Sequence, residues 1–143
     1  MPAVRSRMAA RYRSLTMMES LAVLLVLVTA LVHLYEGVED LGEGMLGVMF
    51  ILAGLGFLGA IVLFFLDYPR LPLYIVGIFY TGLQFVLYFV LRWPNVYDTL
   101  ALFDKIVQLV LMLVLVELFR SERAKSEEAA PETPESDGPT TEE

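Results

Sequence analysis

The chain has no cysteine and a single histidine, His33, among its 143 residues. The first absence removes disulfides, thiolate metal sites and thiol redox chemistry. The second removes a haem held by two histidines of one chain. Also missing are a Gly-rich phosphate loop, the HExxH spacing of a zinc helix, and a nucleophile beside a base at a recognisable distance. Basic residues are scarce, ten against seventeen acidic, and their one cluster (Arg5, Arg7, Arg11 and Arg13) is accounted for by membrane topology, so nucleic-acid binding is not indicated. No cofactor, metal or catalytic group is read from the sequence.

What the chain does have is long apolar runs. Hydrophobic residues make up 57% and the mean hydropathy is +0.66, far from the balance of a soluble protein. Four runs, at 17–35, 45–66, 71–91 and 100–119, each approach the roughly 20 residues a helix needs to cross about 30 Å of hydrocarbon. The predicted fold is an all-α integral membrane protein: an antiparallel bundle of four transmembrane helices within residues 15–120. Short connections favour an up-down order. In DYPRLP, Pro69 stands where one helix should end and Pro72 where the next can begin, because proline is tolerated only in a first helical turn. Tyr68, Trp93 and Tyr97 lie at span ends, where amphipathic rings suit the headgroup region.

Orientation follows from Lys and Arg, which resist transfer across the membrane. With both termini cytoplasmic, eight of the ten basic residues fall on one side, and the acidic loop EGVEDLGEG falls on the other. The first run also has the order of regions of a cleaved leader, with VTA as a small-residue site; cleavage would discard the one topology that balances the charges. The basic segment 1–14 has the composition of a short helix on anionic headgroups. The segment 121–143 holds 2 basic and 8 acidic residues, lacks aromatics, and reads as a disordered cytoplasmic tail. Eight Arg to two Lys with abundant acid is a composition of salt-adapted proteins.

Polar residues inside the runs are the candidates for a site. Asp104, Lys105 and Gln108 share one side of the fourth span, Tyr80, Gln84 and Tyr88 form a stripe on the third with Thr81 beside it, and His33 and Glu36 close the first. Counting about 1.5 Å per residue from the span ends, His33 lies roughly 5 Å deep, Asp104 and Lys105 roughly 6 to 8 Å, and Gln84 and Gln108 roughly 10 to 12 Å. A charge left unpaired there costs about 2.5 to 3.5 kcal/mol on insertion scales, so a polar cluster between helices, open toward the outside, is expected. The bland alternative is that Lys105 snorkels to the interface, Asp104 pairs with it or with Arg92, and the glutamines join helices without binding anything. Glu19 is read as a boundary residue pairing with Arg13 or Arg120. In the second span Gly54, Gly56, Gly59 and Ala60 give a small-residue face for tight packing within the bundle; a homodimer face is its other use.

HLYEG at 33–37, AGLGFLGAIVLF at 53–64, LYIVGIFYTGLQFVLYFV at 73–90 and DKIVQLVLMLVLVEL at 104–118 together resemble a group of small four-helix membrane proteins of halophilic archaea classed as a domain of unknown function. The resemblance covers about 20–118 and rests on His33, Tyr80, Thr81, Gln84, Asp104, Lys105 and Gln108. It implies a haloarchaeal cytoplasmic membrane and brings no catalytic or binding role.

Three functions remain in competition. The favoured one is a non-enzymatic membrane component whose partners are the bilayer and a second copy or another membrane subunit. A homodimeric transporter or proton-coupled carrier subunit comes next, with Asp104 or Glu36 changing protonation. A redox protein holding a quinone near His33 and the Tyr80, Gln84, Tyr88 stripe has the least support.

Overall fold

The computed structural model describes residues 2–131, which form five α-helices and one 3-10 turn: α1 Pro2–Arg13, α2 Met17–Glu39, the turn Asp40–Glu43, α3 Met45–Phe65, α4 Arg70–Arg92 and α5 Thr99–Glu128. Helices α2 to α5 are each long and apolar enough to cross a membrane. Their outer surface is as apolar as their interior: Leu52 is 62% exposed, Phe79 74% and Leu113 72%, while Thr29, His33, Asp104 and Gln108 are at most 2% exposed. Such a surface would drive aggregation in water and suits hydrocarbon. The architecture is that of a multi-pass membrane protein.

Local signals set the helix ends. Thr16 and Glu19 form a capping box, with the Glu19 N–H donating to Thr16 Oγ1 (3.2 Å) and the Thr16 N–H to Glu19 Oε2 (2.9 Å). Asp98 accepts from the Ala101 N–H at 3.0 Å and starts α5. Pro69 precedes α4 and Pro72 occupies its first turn. The 3-10 turn reaches α3 through Gly44, whose φ of +82° is cheap only for glycine.

Consecutive long helices run antiparallel. Glu19, Phe64, Arg70 and Glu122 gather at one end, and Asp40, Gly47 and Arg92 at the other. The packing is uneven: α2 lies closely against α3 and α5, and α4 against α5, whereas α3 and α4 touch sparingly. Glycine explains the tight pair. A Cβ on Gly47 would lie 2.6 Å from the Asp40 backbone, and one on Gly37 2.8 Å from the Ile51 nitrogen. Gly54 faces Leu34 and the Ala30 carbonyl oxygen of α2, the latter 3.0 Å from where a Cβ would stand.

Several expectations change here. The four small residues of α3 do not form one packing face: Gly54 meets α2, Gly56 meets the Tyr80 ring of α4, and Gly59 has nothing within 4 Å of a Cβ position. Helix α5 continues to Glu128, so residues 121–128 are helical rather than disordered. An existing helix propagates without a new nucleation cost, and Arg123–Glu127 (2.9 Å) and Glu122–Lys125 (4.0 Å) have favourable helical spacing. The rest of the expected tail, 132–143, lies outside the described residues. Glu19 is buried and pairs with Arg70 at 2.8 Å and Arg11 at 4.0 Å, rather than with Arg13 or Arg120.

The glycine contacts give opposite expectations at two sites. Gly47→Ala forces backbone apart and should cost about 1 to 3 kcal/mol, lowering the melting temperature in detergent. Gly59→Ala should leave it unchanged.

Candidate functional site

The polar residues that come together belong to α2 and α5. Thr29 and His33 are one turn apart on α2, and Asp104, Lys105 and Gln108 occupy the facing turn of α5. The Thr29 hydroxyl donates to Asp104 Oδ1 at 2.5 Å and accepts from Gln108 Nε2 at 3.4 Å. Lys105 Nζ donates to Asp104 Oδ2 at 3.1 Å and to Gln108 Oε1 at 2.9 Å. The result is a closed circuit, Thr29 to Asp104 to Lys105 to Gln108 and back to Thr29. Every member is at most 5% exposed.

His33 joins from one side. Its Nδ1 lies 2.8 Å from the Thr29 carbonyl oxygen, which can only accept, so Nδ1 carries a proton. The same nitrogen stands 3.7 Å from Asp104 Oδ2. The ring packs against Phe50 and Phe57, with centroids 5.7 and 5.4 Å away. Above the circuit, Lys105 Nζ sits 5.0 Å from the centre of the Tyr88 ring, whose hydroxyl is held by the Val96 carbonyl at 2.8 Å. A desolvated ammonium over an aromatic face gains about 2 kcal/mol or more. Lys105 therefore points inward, to an anion, an amide and a ring, and does not snorkel.

The other expected members lie apart from the circuit. Glu36 is buried one turn beyond His33; the charges that act on it are Arg92, Asp104, Asp98 and Lys105, with no ion pair within 4.0 Å among the described residues. Arg92 pairs instead with Asp40 at the start of the 3-10 turn and lies over the Phe50 ring. The stripe on α4 divides among three neighbours. Tyr80 donates to the Ala53 carbonyl of α3 at 2.9 Å, Gln84 is half-buried beside Phe50 and Arg92 in a 60 Å³ pocket, and Tyr88 serves Lys105. Thr81 is 1% exposed, and its hydroxyl has no hydrogen-bond partner among the described residues.

Thr29 is the member the sequence reading missed. It sits in the apolar run LAVLLVLVTALV, yet its spacing of four from His33 is the same signal that grouped Asp104 with Gln108. The Tyr88 ring was grouped with Gln84 by spacing, whereas its chemical partner is a lysine of the next helix. Among the described residues, no three His, Asp or Glu side chains converge as metal ligands would. Chemically, each of the four side chains is hydrogen-bonded to two others of the circuit, which suits fastening two helices in hydrocarbon.

Thr29→Val should remove two of those bonds and cost about 1 to 3 kcal/mol, because the Asp104 carboxylate loses a buried donor. Thr29→Ser, which keeps the hydroxyl, should retain most of the stability. Thermal melts of the two variants in one detergent check this.

Known proteins add a family and no chemistry. No curated protein and no solved structure matches the chain. Residues 5–119, which span all but the last part of α5 and the start of α1, match a family described as a family of unknown function (DUF7475). With most of its length matched, the chain belongs to that family.

Proposed function

We propose that this protein is a non-enzymatic component of the cytoplasmic membrane, in which the Thr29, Asp104, Lys105 and Gln108 circuit holds α2 against α5 and so fixes the bundle for contact with lipid and a partner subunit or second copy. One observation carries this reading: each of the four side chains is spent on another member while almost fully removed from solvent. A carrier needs ionisable groups that exchange with water or an ion path, and a closed circuit offers neither. Placing both termini in the cytoplasm is supported by the Arg5 to Arg13 cluster, Arg70, Arg123 and Lys125 at the Glu19 end, against Arg92 at the other. A salt-adapted host is supported by the excess of acid and of Arg over Lys.

The second reading, a proton-coupled carrier acting as a homodimer, is favoured by Glu36. That carboxylate is 8% exposed, lies one turn from His33 and has no close counter-ion among the described residues. The two readings separate in one preparation. Under the structural reading, Lys105→Met leaves Asp104 without its cation and destabilises the protein by about 3 to 5 kcal/mol. Reconstituted wild-type protein then passes no protons above protein-free vesicles. Proton flux that disappears in Glu36→Gln would overturn the structural reading and support the carrier.

A further inference from the structure

The four arginines of α1 are not equivalent. Arg11 is turned into the end of the bundle: its guanidinium lies 5.1 Å from the centre of the Phe64 ring, with Glu19 at 4.0 Å and Asp67 at 3.8 Å. Arg7, one turn earlier on the same side, lines a recess of about 660 Å³ with Arg11 and Asp67. By helical spacing, Arg5 and Arg13 share the opposite face with Ala9 and Tyr12. That face is uncovered. Among the described residues, neither Arg5 nor Arg13 has a carboxylate within 4.0 Å, no residue of α1 is buried, and Tyr12 is 72% exposed. Acids at this end are engaged elsewhere: Glu19 and Glu122 by Arg70, and Glu127 by Arg123.

Position says what meets this face. Helix α1 ends at Arg13, and α2, the first spanning helix, starts at Met17, which is 90% exposed. The contacts of Arg11 hold that junction at the ends of α2 and α3. The backbone of α1 comes close to α3 and to no other helix, so its 12 residues, about 18 Å long, leave the bundle at its rim instead of crossing its end. Helix α5, which leads into the acidic end of the chain at 132–143, is not a neighbour. What lies beside the rim, at the level where spans begin, is the headgroup layer. An anionic leaflet attracts a basic segment next to a span, and a guanidinium can donate two parallel hydrogen bonds to one phosphate. An amphipathic ring such as that of Tyr12 suits the same layer.

We propose that α1 docks on an anionic phospholipid surface through Arg5 and Arg13, with Tyr12 set among the headgroups, while Arg11 fastens the helix to the bundle. The leaflet is the one at the Glu19 end, whichever compartment it faces. Neither reading of the polar circuit uses α1, so the docking stands apart from both.

Because the chain has no cysteine, Ala9→Cys gives a single attachment point for an environment-sensitive fluorophore on the exposed face of α1. The labelled full chain is placed in nanodiscs of phosphatidylcholine alone, or of phosphatidylcholine mixed with phosphatidylglycerol, at low ionic strength. In the anionic discs the emission should shift to the blue and the probe should become protected from acrylamide; in the neutral discs it should stay wet. Arg5→Gln with Arg13→Gln should weaken docking about 30-fold, the loss of two basic residues near an anionic surface, and leave the melting temperature unchanged, since neither side chain has a partner in the bundle. The proposal is overturned if the probe is equally wet in both kinds of disc, or if the double variant keeps the shift. Equal protection in neutral discs overturns it as well, because α1 would then be covered by protein, the acidic end at 132–143 or another chain, and not by anionic lipid.

Discussion

An ionised pair removed from water is the constraint around which this bundle is arranged. Asp104 and Lys105 are 2% and 5% exposed. Transferring two such charges out of water carries a penalty of several kcal/mol per ion, and their mutual attraction offsets it only when the remaining lone pairs and protons are also satisfied. Adjacent residues on one helix cannot supply all of that. Asp104 needs a donor from outside α5, which Thr29 provides, and Lys105 needs further acceptors, which Gln108 and the Tyr88 ring provide. The charges therefore fix the neighbours of α5: α2 on one side and the end of α4 on the other.

Once α5 is held in that way, α3 is left with α2 as its principal partner. Gly37 and Gly54 bring those two backbones together at distances no larger residue would allow, and Gly47 admits the backbone of the turn between them. In lipid there is little hydrophobic drive between helices, so close backbone approach supplies van der Waals contact that apolarity alone does not. The α3–α4 pair has neither device. Tyr80 reaches across to the Ala53 carbonyl at one level, and beyond it the helices part around Gly59 and Gly77. Cohesion is thus concentrated in α2 with its two neighbours and in the α4–α5 pair, and it is weakest between α3 and α4.

The elements were legible because each rests on a local signal. Twenty apolar residues specify a spanning helix, and Pro69 and Pro72 specify a turn whatever surrounds them. The ends were less so: α2 runs to Glu39 because helix continues until Gly44 reverses the chain, and the T-M-M-E capping box at Thr16 to Glu19 passed unnoticed among apolar neighbours. Helical spacing places polar residues on a shared face of each helix but says nothing about which neighbour each group meets. Tyr80, Gln84 and Tyr88 share a stripe, yet they address α3, a small pocket and α5 in turn. Gly54 and Gly56 are two positions apart, about 200° around the helix, so one faces α2 and the other α4. Rotation about the helix axis and the order of helices around the bundle are set by contacts distant in sequence, as between Thr29 and Asp104.

The central claim is that α2 and α5 are joined through the carboxylate of Asp104, and a double-mutant cycle between Thr29→Val and Asp104→Asn measures that joint directly. Unfolding free energies of wild type, the two single variants and the double variant, in one detergent, give the coupling without the separate cost of each substitution. A hydrogen bond to a buried charge predicts a coupling of about 1.5 to 3 kcal/mol. A coupling indistinguishable from zero would mean that the two helices are held by something else.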